Sequence, residues 1–324
     1  MAGDLDAAGG QPVITDLDSA ELGGAELERP DFEVQLESLS QWQLAWRRFR
    51  KHRLAMVGAF MFLGMCAVAI VGPIFLPYNF YTIPSVDKIV YAGRPPSLAH
   101  PFGETGGLQR DVLTLVVNGA RLSLLIGVGA SLFGATIGAI VGGIAGYFGG
   151  WVDNILMRIV DIMLSLPLLF VILVVSKFLG NGNWYMIMAI FAVFGWQGIS
   201  RLVRSLFLSL REEDYVDAAR AAGVGDLRII FRHILPNAVS PIIVATTLGV
   251  AGVIISEAFV SFLGFGVNVT QPTWGNVLSN SLSFITLGNW WWPLFPGLAI
   301  VVTVLGINFM GDGLRDALDP RAKE

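Results

Sequence analysis

The stretch REEDYVDAARAAGVGDLRIIFRHILPN, residues 211–237, is a charged island between two long apolar segments. Its first half carries a run of small side chains with one bulky residue. Four residues share the spacing i, i+3, i+4 and i+7: Tyr215, Ala218, Ala219 and Ala222. That spacing places them on one face of a helix. The first half of the island therefore predicts a short helix with a small, nearly flat stripe.

The second half of the island predicts another short helix. Gly223 and Gly225 interrupt the first stripe, Asp226 is expected to cap a new helix, and Pro236 is expected to close it. The same helical spacing recurs at Leu227, Ile230, Phe231 and Ile234. Two amphipathic helices between hydrophobic segments need a cover for their apolar faces. We therefore interpret the island as a docking surface for another protein.

The composition of the whole chain indicates a membrane protein. Hydrophobic residues make up 54% of the 324 positions and charged residues 14%, and the mean hydropathy is +0.65. These values fit a bundle of membrane helices far better than a soluble domain. The net charge of −4 reflects acidic residues crowded into the first 38 positions and indicates no nucleic-acid partner.

Six apolar segments approach the ~20 residues that cross a hydrocarbon core. They lie at about Leu54–Leu76, Leu122–Phe148, Ile155–Leu179, Trp184–Leu208, Ala238–Leu263 and Trp291–Met310. The fold class expected is an all-α integral membrane protein with six transmembrane helices. An even number of spans places both termini on the same side of the membrane.

The basic residues indicate which side that is. One side holds the cluster in SQWQLAWRRFRKHR, residues 40–53, together with Arg201, Arg204, Arg211, Arg220, Arg228, Arg232, Arg315, Arg321 and Lys323. The positive-inside rule places this side, with both termini and the island, in the cytoplasm. The predicted organisation is a disordered acidic tail (1–38), an interfacial amphipathic helix (39–53), a six-helix membrane domain (54–310) and a cytoplasmic C-terminal tail (311–324). Residues 77–121 and 264–290 form external loops.

Few charged residues lie within the predicted spans. Arg158 and Asp161 are one helical turn apart and are expected to pair. Glu257, toward the outer end of the fifth span, has two interpretations: a role in a translocation pathway, or a buried hydrogen bond that supports packing. Glycines such as Gly138, Gly142 and Gly146 are expected to allow close helix packing rather than to line a route.

Sequence motifs give no support for catalysis on this chain. The sequence has no GxxxxGK[ST] loop to hold nucleotide phosphates and no HExxH metal motif. Cys66 is the sole cysteine, and the three histidines are far apart along the chain. We expect no catalytic residue, no metal site and no cofactor on this chain.

The island resembles the EAA loop of ABC importer permeases. The matching positions are Asp217, Ala218, Ala219, Gly223, Leu235 and Pro236, with Asp217 where the general pattern has Glu and His233 at its Ile position. Further matching segments are HPFG (100–103), RDVL (110–113), ARLSL (120–124), FLGFGV (262–267), PTWGN (272–276), FPGLAI (295–300) and GDGLRDALDPR (311–321). Together they resemble the C-type permease subunit of the dipeptide/oligopeptide branch. The 104–109 stretch departs from that family's pattern, with one extra residue and Gln109 in place of Gly.

The resemblance implies a type I importer permease fold and a set of partners. These are a homologous B-type permease, two cytoplasmic ATPases that bind ATP and magnesium, an extracytoplasmic solute-binding protein and the lipid bilayer. It implies a location in the plasma (inner) membrane of a bacterium or archaeon. On the island, Ala218, Ala219 and Ala222 would seat in an ATPase groove beside Tyr215. Gly223 would form the corner, Glu213 and Asp217 would make polar contacts at the rim, and Leu235 and Pro236 would end the motif.

Other functions remain open at this stage. The resemblance favours import of di- or oligopeptides, with ATP hydrolysis by the partner ATPases coupled to alternating access. Other members of the branch are linked to nickel chelates or glycosides, and no residue in the sequence selects among these substrates. An ion-driven secondary transporter would need ionisable residues near mid-membrane and broken helices with paired repeats, and the sequence offers little of either. A membrane scaffold without transport activity is the third alternative.

Overall fold

The computed structural model describes residues 40–78, 93–179 and 182–319, and the regular secondary structure in these ranges is helical. Its helices are α1 (Gln41–Lys51), α2 (Arg53–Phe75), α3 (Val112–Phe148), α4 (Gly150–Ser165), α5 (Leu168–Leu179), α6 (Trp184–Phe194), α7 (Gln197–Leu210), α8 (Asp214–Ala221), α9 (Asp226–Ile229), α10 (Leu235–Phe262), α11 (Trp274–Ile285) and α12 (Trp291–Leu318). A π-helical turn at Ile230–Ile234 joins α9 to α10. These ranges contain no β-strand, only an isolated bridge between Glu104 and Asp111. The all-α prediction is confirmed; the predicted tail at 1–38 lies outside the described residues.

Four continuous helical stretches are long and apolar enough to cross a membrane. They are Arg53–Phe75, Val112–Phe148, Asp226–Phe262 and Trp291–Leu318. Two bent pairs, α4 with α5 and α6 with α7, would raise the number to six if each pair is one span. The described ranges thus contain four to six candidate spans.

The predicted third span, Ile155–Leu179, is not one helix. It is divided into α4 and α5, which meet at an angle of 84°. The break falls at Leu166, whose backbone is extended (φ −83°, ψ 134°), directly before Pro167. A residue that precedes proline is sterically excluded from helical geometry, and this explains the position of the break. The predicted fourth span bends by 40° between α6 and α7.

Helix α3 begins ten residues before the predicted start of the second span, inside the predicted external loop 77–121. Asp111 caps it, because its Oδ2 atom accepts a hydrogen bond from the Thr114 backbone N–H at 2.7 Å. At ~1.5 Å per residue, a helix of 37 residues is about 55 Å long. Helix α3 therefore extends well beyond a hydrocarbon core of ~30 Å and connects the two ends of the bundle.

Glycines on α3 allow α7 to approach its backbone. A Cβ atom at Gly138 would lie 2.7 Å from the Trp196 carbonyl oxygen, and one at Gly146 would lie 2.7 Å from that of Arg204. A Cβ atom at Gly142 would collide with the Ser200 carbonyl oxygen. The spacing of four residues places these glycines on one face, so they pack closely as expected.

Two ion pairs fasten α4 to α7. Arg201 bonds Asp161 at 2.5 Å, and the Arg204 guanidinium contacts both carboxylate oxygens of Asp153. The predicted pairing of Arg158 with Asp161 is wrong, because Asp161 is taken by an arginine on the neighbouring helix. The spacing of Arg158 and Asp161 along one helix could not show that an arginine of another helix lies closer to Asp161.

The N-terminal helix α1 packs on α12. Phe49 is buried together with Ala55 and Ala317, and Arg48 donates a hydrogen bond to the Asp319 carbonyl oxygen at 3.1 Å. Trp42 and Trp46 are exposed. An exposed aromatic face beside basic residues suits the predicted interfacial role, which stays a prediction.

The segment before α3 is held by a half-buried histidine. His100 lies between two carboxylates, with Nε2 at 3.0 Å from Glu104 and Nδ1 at 3.0 Å from Asp111. The Trp291 indole donates a hydrogen bond to the Glu104 carbonyl oxygen at 3.1 Å. These contacts fix residues 93–111 against the start of α12.

We predict that Gly142→Ala lowers the thermal stability of the purified protein in detergent. Overpacking costs about 1–3 kcal/mol, which exceeds the roughly 0.5–1 kcal/mol that alanine gains over glycine inside a helix. Gly198→Ala on α7 is the matched control, since a Cβ atom there meets nothing within 4 Å. A melting temperature for Gly142→Ala equal to that of the control would contradict the close packing of α3 against α7.

Candidate functional site

The island is folded as a helix, a tight corner and a second helical segment that runs into α10. Glu213 occupies the N-cap position of α8 without a side-chain capping bond. Asp214 and Asp217 lie in its first turn and Arg220 in its last, an arrangement that complements the helix dipole. The Arg220 guanidinium donates to Asp217 at 3.0 Å on the exposed surface.

Gly223 forms the corner after α8. The Val224 N–H donates to the Ala219 carbonyl oxygen at 3.1 Å, and the Gly223 N–H donates to that of Arg220 at 2.9 Å. This is a Schellman motif, which requires a left-handed residue at its turn. Gly223 has φ +76°, and a Cβ atom there would meet nothing within 4 Å. Its conformation, rather than lack of space, makes glycine the suitable residue.

The predicted stripe of α8 is divided between the interior and the surface. Ala219 is buried within this chain, together with Val216, whereas the other three stripe residues are exposed: Tyr215, Ala218 and Ala222. The exposed part of the stripe is available to a partner. The buried part fixes α8 to the rest of the chain.

The second half of the island buries only part of its predicted stripe within the chain. Ile229 and Ile234 are fully buried, while Leu227 and Phe231 are exposed. The π-helical turn at Ile230–Ile234 explains this difference, because its hydrogen bonds run from i to i+5 and place residues five apart on one face. Of the predicted stripe, Ile234 and part of Ile230 are therefore covered within the chain, and a cover for Leu227 and Phe231 stays a prediction.

Two predictions about the ends of this segment are wrong. Pro236 does not close a helix; it lies in the first turn of α10, directly after the π-helical turn and within the continuous helical stretch Asp226–Phe262. Asp226 is not the cap of α9, since Gly225 occupies that position. The Asp226 carboxylate instead accepts a hydrogen bond from the Tyr147 hydroxyl at 2.6 Å.

Contacts with the end of α3 hold the island in place. Besides the bond from Tyr147 to Asp226, the Arg211 guanidinium donates to the carbonyl oxygens of Gly146 at 3.1 Å and Tyr147 at 3.3 Å. These are carbonyls of the last turn of α3, which have no partner within the helix. Arg220 also lies over the Tyr147 ring at 5.9 Å. Tyr147 could not be found from the sequence, because no spacing pattern links it to a residue 79 positions away.

Tyr215, Leu235 and Pro236 lie close to the junction with α10. The Asn237 side-chain amide donates to the Tyr215 hydroxyl at 3.3 Å and to the His233 carbonyl oxygen at 2.8 Å. Leu235 is half-buried and Pro236 is exposed. The structure thus brings Tyr215 next to the start of α10, while Glu213 remains on the exposed end of α8.

Glu257 is far from the island and fully buried in the middle of a polar network. Its carboxylate accepts hydrogen bonds from Ser261 at 2.7 Å and Ser123 at 3.4 Å. The Ser123 hydroxyl in turn accepts a hydrogen bond from the backbone N–H of Trp274 at 3.1 Å, and the Ser261 hydroxyl accepts one from the backbone N–H of Val267 at 3.3 Å. The network links α3, α10 and α11. This geometry is that of a packing contact, and a pathway role for Glu257 stays a prediction.

These features define a class of protein: an all-α, multi-pass membrane protein with a folded helical island at one end of its bundle. Residues 134–324 match the family described as "Binding-protein-dependent transport system inner membrane component", and residues 40–96 match the N-terminal transmembrane domain of oligopeptide transport permease C. The chain belongs to this family of binding-protein-dependent permeases. Membership makes it a membrane component of an ABC transporter rather than a catalytic enzyme, and implies ATPase and binding-protein partners in general.

Curated relatives cover nearly the whole chain. The dipeptide transport system permease protein DppC of Bacillus subtilis is 40% identical over 298 residues, which are 92% of this chain and 91% of the relative. The oligopeptide transport system permease protein OppC of the same organism is 38% identical over 306 residues, 94% and 96% of the two chains. The glutathione transport system permease protein GsiD of Escherichia coli is 38% identical over 307 residues, 94% and 97%.

We predict that Tyr147→Phe loosens the island without unfolding the bundle. The variant removes a hydrogen bond to a carboxylate, a contact worth about 1.5–3 kcal/mol, so local opening should increase roughly tenfold or more. Hydrogen exchange followed by mass spectrometry measures this opening over residues 214–229. Tyr185→Phe, which removes a hydroxyl from an exposed site on α6, is the control. Unchanged exchange over 214–229 would show that the Tyr147 bond does not hold the island.

Proposed function

We propose that this chain is the C-type permease subunit of an ATP-driven importer of short peptides. The observation that carries the proposal is the folded island, whose exposed small-residue face is fixed to α3, α7 and α10 by a buried cluster. Such an element suits transmission of a partner's movement to the spans. The match over nearly the full length of three peptide permeases supports the substrate class.

The relatives' names favour peptides over the other substrates of the branch. Dipeptides, oligopeptides and glutathione are all short peptides with a free carboxylate. The permeases of the three transport systems named after them each align with at least 92% of this chain. A homologous B-type permease would complete the pathway, and an extracytoplasmic binding protein would deliver the substrate. ATP and magnesium would bind to two partner ATPases, with no cofactor held by this chain.

The distribution of charge supports an orientation with the island in the cytoplasm. Four arginines belong to the island, Arg211, Arg220, Arg228 and Arg232, and α1 carries its basic cluster next to α12. The predicted external loops 77–121 and 264–290 together carry four basic residues, all in the first of them, against fourteen on the side that holds the island, α1 and the C-terminus. By the positive-inside rule, both termini lie in the cytoplasm of a bacterial or archaeal cell.

The mechanism follows from the way in which the island is attached. Closure of the ATPase dimer on ATP would draw the docking helices of the two permeases together. Because α8 packs on the ends of α3 and α7 and the second half of the island runs directly into α10, this movement would reach the spans as a rigid-body displacement. The pathway would change from inward-facing to outward-facing.

We predict that Ala218→Arg lowers ATP-driven uptake of tri-alanine at least tenfold. Ala218 is exposed, so a long charged side chain would prevent close seating in an ATPase groove without disturbing the chain's own packing. Central contacts at protein interfaces cost about 2 kcal/mol or more when lost. Ala219→Arg is less informative, because Ala219 is buried within the chain.

The experiment uses a deletion strain complemented with the variant and its partner subunits. Ser209→Arg is the control and should retain uptake. Ser209 is a small exposed residue at the C-terminal end of α7, next to the island but outside it. Immunoblots of membranes verify equal abundance. Normal uptake by Ala218→Arg would contradict the docking assignment, and absence of tri-alanine uptake by the wild-type system would contradict the substrate class.

A further inference from the structure

The N-terminal helix α1 carries positive charge on one exposed face. Arg47, Arg50 and Lys51 share the spacing i, i+3 and i+4, and all three side chains are exposed. The helical repeat places this cationic face opposite to Ala45 and Phe49, which are buried where α1 packs on α12. The three charges therefore point away from the bundle.

The cationic face has no counterion in the described part of the chain. Its three side chains form no ion pair there, and neither does Arg53 at the first position of α2. Asp316 of α12 lies 3.5 Å from His52, on the side of α1 that packs against the bundle. A cluster of four exposed cations without a counterion favours an anionic partner outside the chain.

Two exposed tryptophans flank the cationic face. Trp42 is 58% exposed and Trp46 is 60% exposed, and their spacing of four residues places both on one side of α1, between the buried and the cationic face. Tryptophan combines a large apolar ring with a polar N–H group and is enriched where membrane meets water. An aromatic flank beside a basic face is typical of a helix that lies at a membrane surface, whereas a helix exposed only to water needs no such flank.

The position of α1 in the chain places it at the end of the first candidate span. Only His52 separates α1 from α2, and its extended backbone (φ −81°, ψ 101°) ends the first helix. Its Nδ1 atom accepts a hydrogen bond from the Ala55 N–H at 3.1 Å and so caps the second. Exposed apolar side chains begin directly after this cap, at Leu54 and Val57. Since such side chains suit contact with lipid, the cationic face lies at the level of the lipid headgroups.

We propose that α1 binds anionic phospholipids at the cytoplasmic surface of the membrane, with Arg47, Arg50 and Lys51 paired with the lipid headgroups. Trp42 and Trp46 lie beside these pairs at the boundary of the acyl chains. A basic cluster next to a span attracts an anionic leaflet, whereas tryptophan does not distinguish lipids by charge. The assignment rests on the proposed orientation and is independent of the transported substrate.

The test measures lipid selectivity next to α1 in the assembled transport complex. A fluorophore is attached at Leu54→Cys, an exposed position of α2, in a Cys66→Ser background. The complex is placed in phosphatidylcholine nanodiscs that contain a minor fraction of brominated phosphatidylglycerol or brominated phosphatidylcholine, and quenching by each lipid gives its relative affinity. We expect phosphatidylglycerol to be favoured at least about tenfold, because each cation near an anionic surface contributes roughly fivefold. High salt should reduce this preference.

Paired substitutions distinguish charge from general effects on the helix. Arg47→Gln combined with Arg50→Gln should reduce the preference at least about tenfold, since two of the cations are lost. Arg47→Lys combined with Arg50→Lys is the matched control, which keeps both charges and should retain the preference. Trp42→Gln should also retain it. The same fluorophore at Ile70→Cys, exposed near the other end of α2, is the control site and should show no preference.

Two results would overturn the assignment to these cations. Equal quenching by both lipids at Leu54→Cys in the otherwise unchanged complex would show that the cationic face is merely solvated. A preference that survives the double Gln variant, or that is lost with Trp42→Gln alone, would show that other groups select the lipid. ATP-driven uptake of tri-alanine is measured on the same complexes, so that failure of the lipid site is distinguished from failure of the importer function.

The acidic tail of the same chain is the alternative occupant. Residues 1–38 contain ten acidic residues and one basic residue and precede α1 closely. If this tail covered the cationic face, the wild-type tail would abolish the preference for phosphatidylglycerol. The combined substitutions Asp31→Asn, Glu33→Gln and Glu37→Gln would then create it. That result would contradict the lipid assignment, whereas a preference that is present with the wild-type tail supports it.

Discussion

The organisation of this protein depends on the burial of the island's apolar side chains against the ends of α3 and α7. Val216, Ile229 and Ile234 are fully buried in a cluster with Tyr147 and Phe207. Complete burial of an aliphatic side chain contributes roughly 1.5–3 kcal/mol, so these three contribute about 5–9 kcal/mol as an upper estimate. The Tyr147–Asp226 hydrogen bond adds about 1.5–3 kcal/mol. Burial therefore holds the island, and the polar contacts fix its orientation.

This burial turns a charged loop into an extension of the membrane helices. Helix α3 passes through the whole bundle, from its cap at Asp111 to the island at Tyr147, and its glycines bring α7 against it. The buried network around Glu257 joins α3 to α10 and α11 nearer the other end. Movement at the island thus has a continuous packed route toward the opposite end of the bundle.

The sequence predicted the helical class, the approximate spans and the island's position, because hydropathy and helical periodicity are local properties. It did not predict the π-helical turn, since Ile229 and Ile234 at a spacing of five match no ordinary helical pattern. Nor did it predict that Asp226 pairs with Tyr147, or Asp161 with Arg201, because those partners come from other helices.

The proposed coupling requires that the island and α3 move as one rigid body. Spin labels are attached at Arg228→Cys on α9 and Ile140→Cys on α3, both exposed positions, in a Cys66→Ser background. Pulsed electron paramagnetic resonance then measures the distance between the two labels. The measurement is made on the assembled complex with and without ATP. We predict a single narrow distance distribution that keeps its position and width in both states. A distribution that broadens or shifts when ATP binds would show that the island moves independently of the spans.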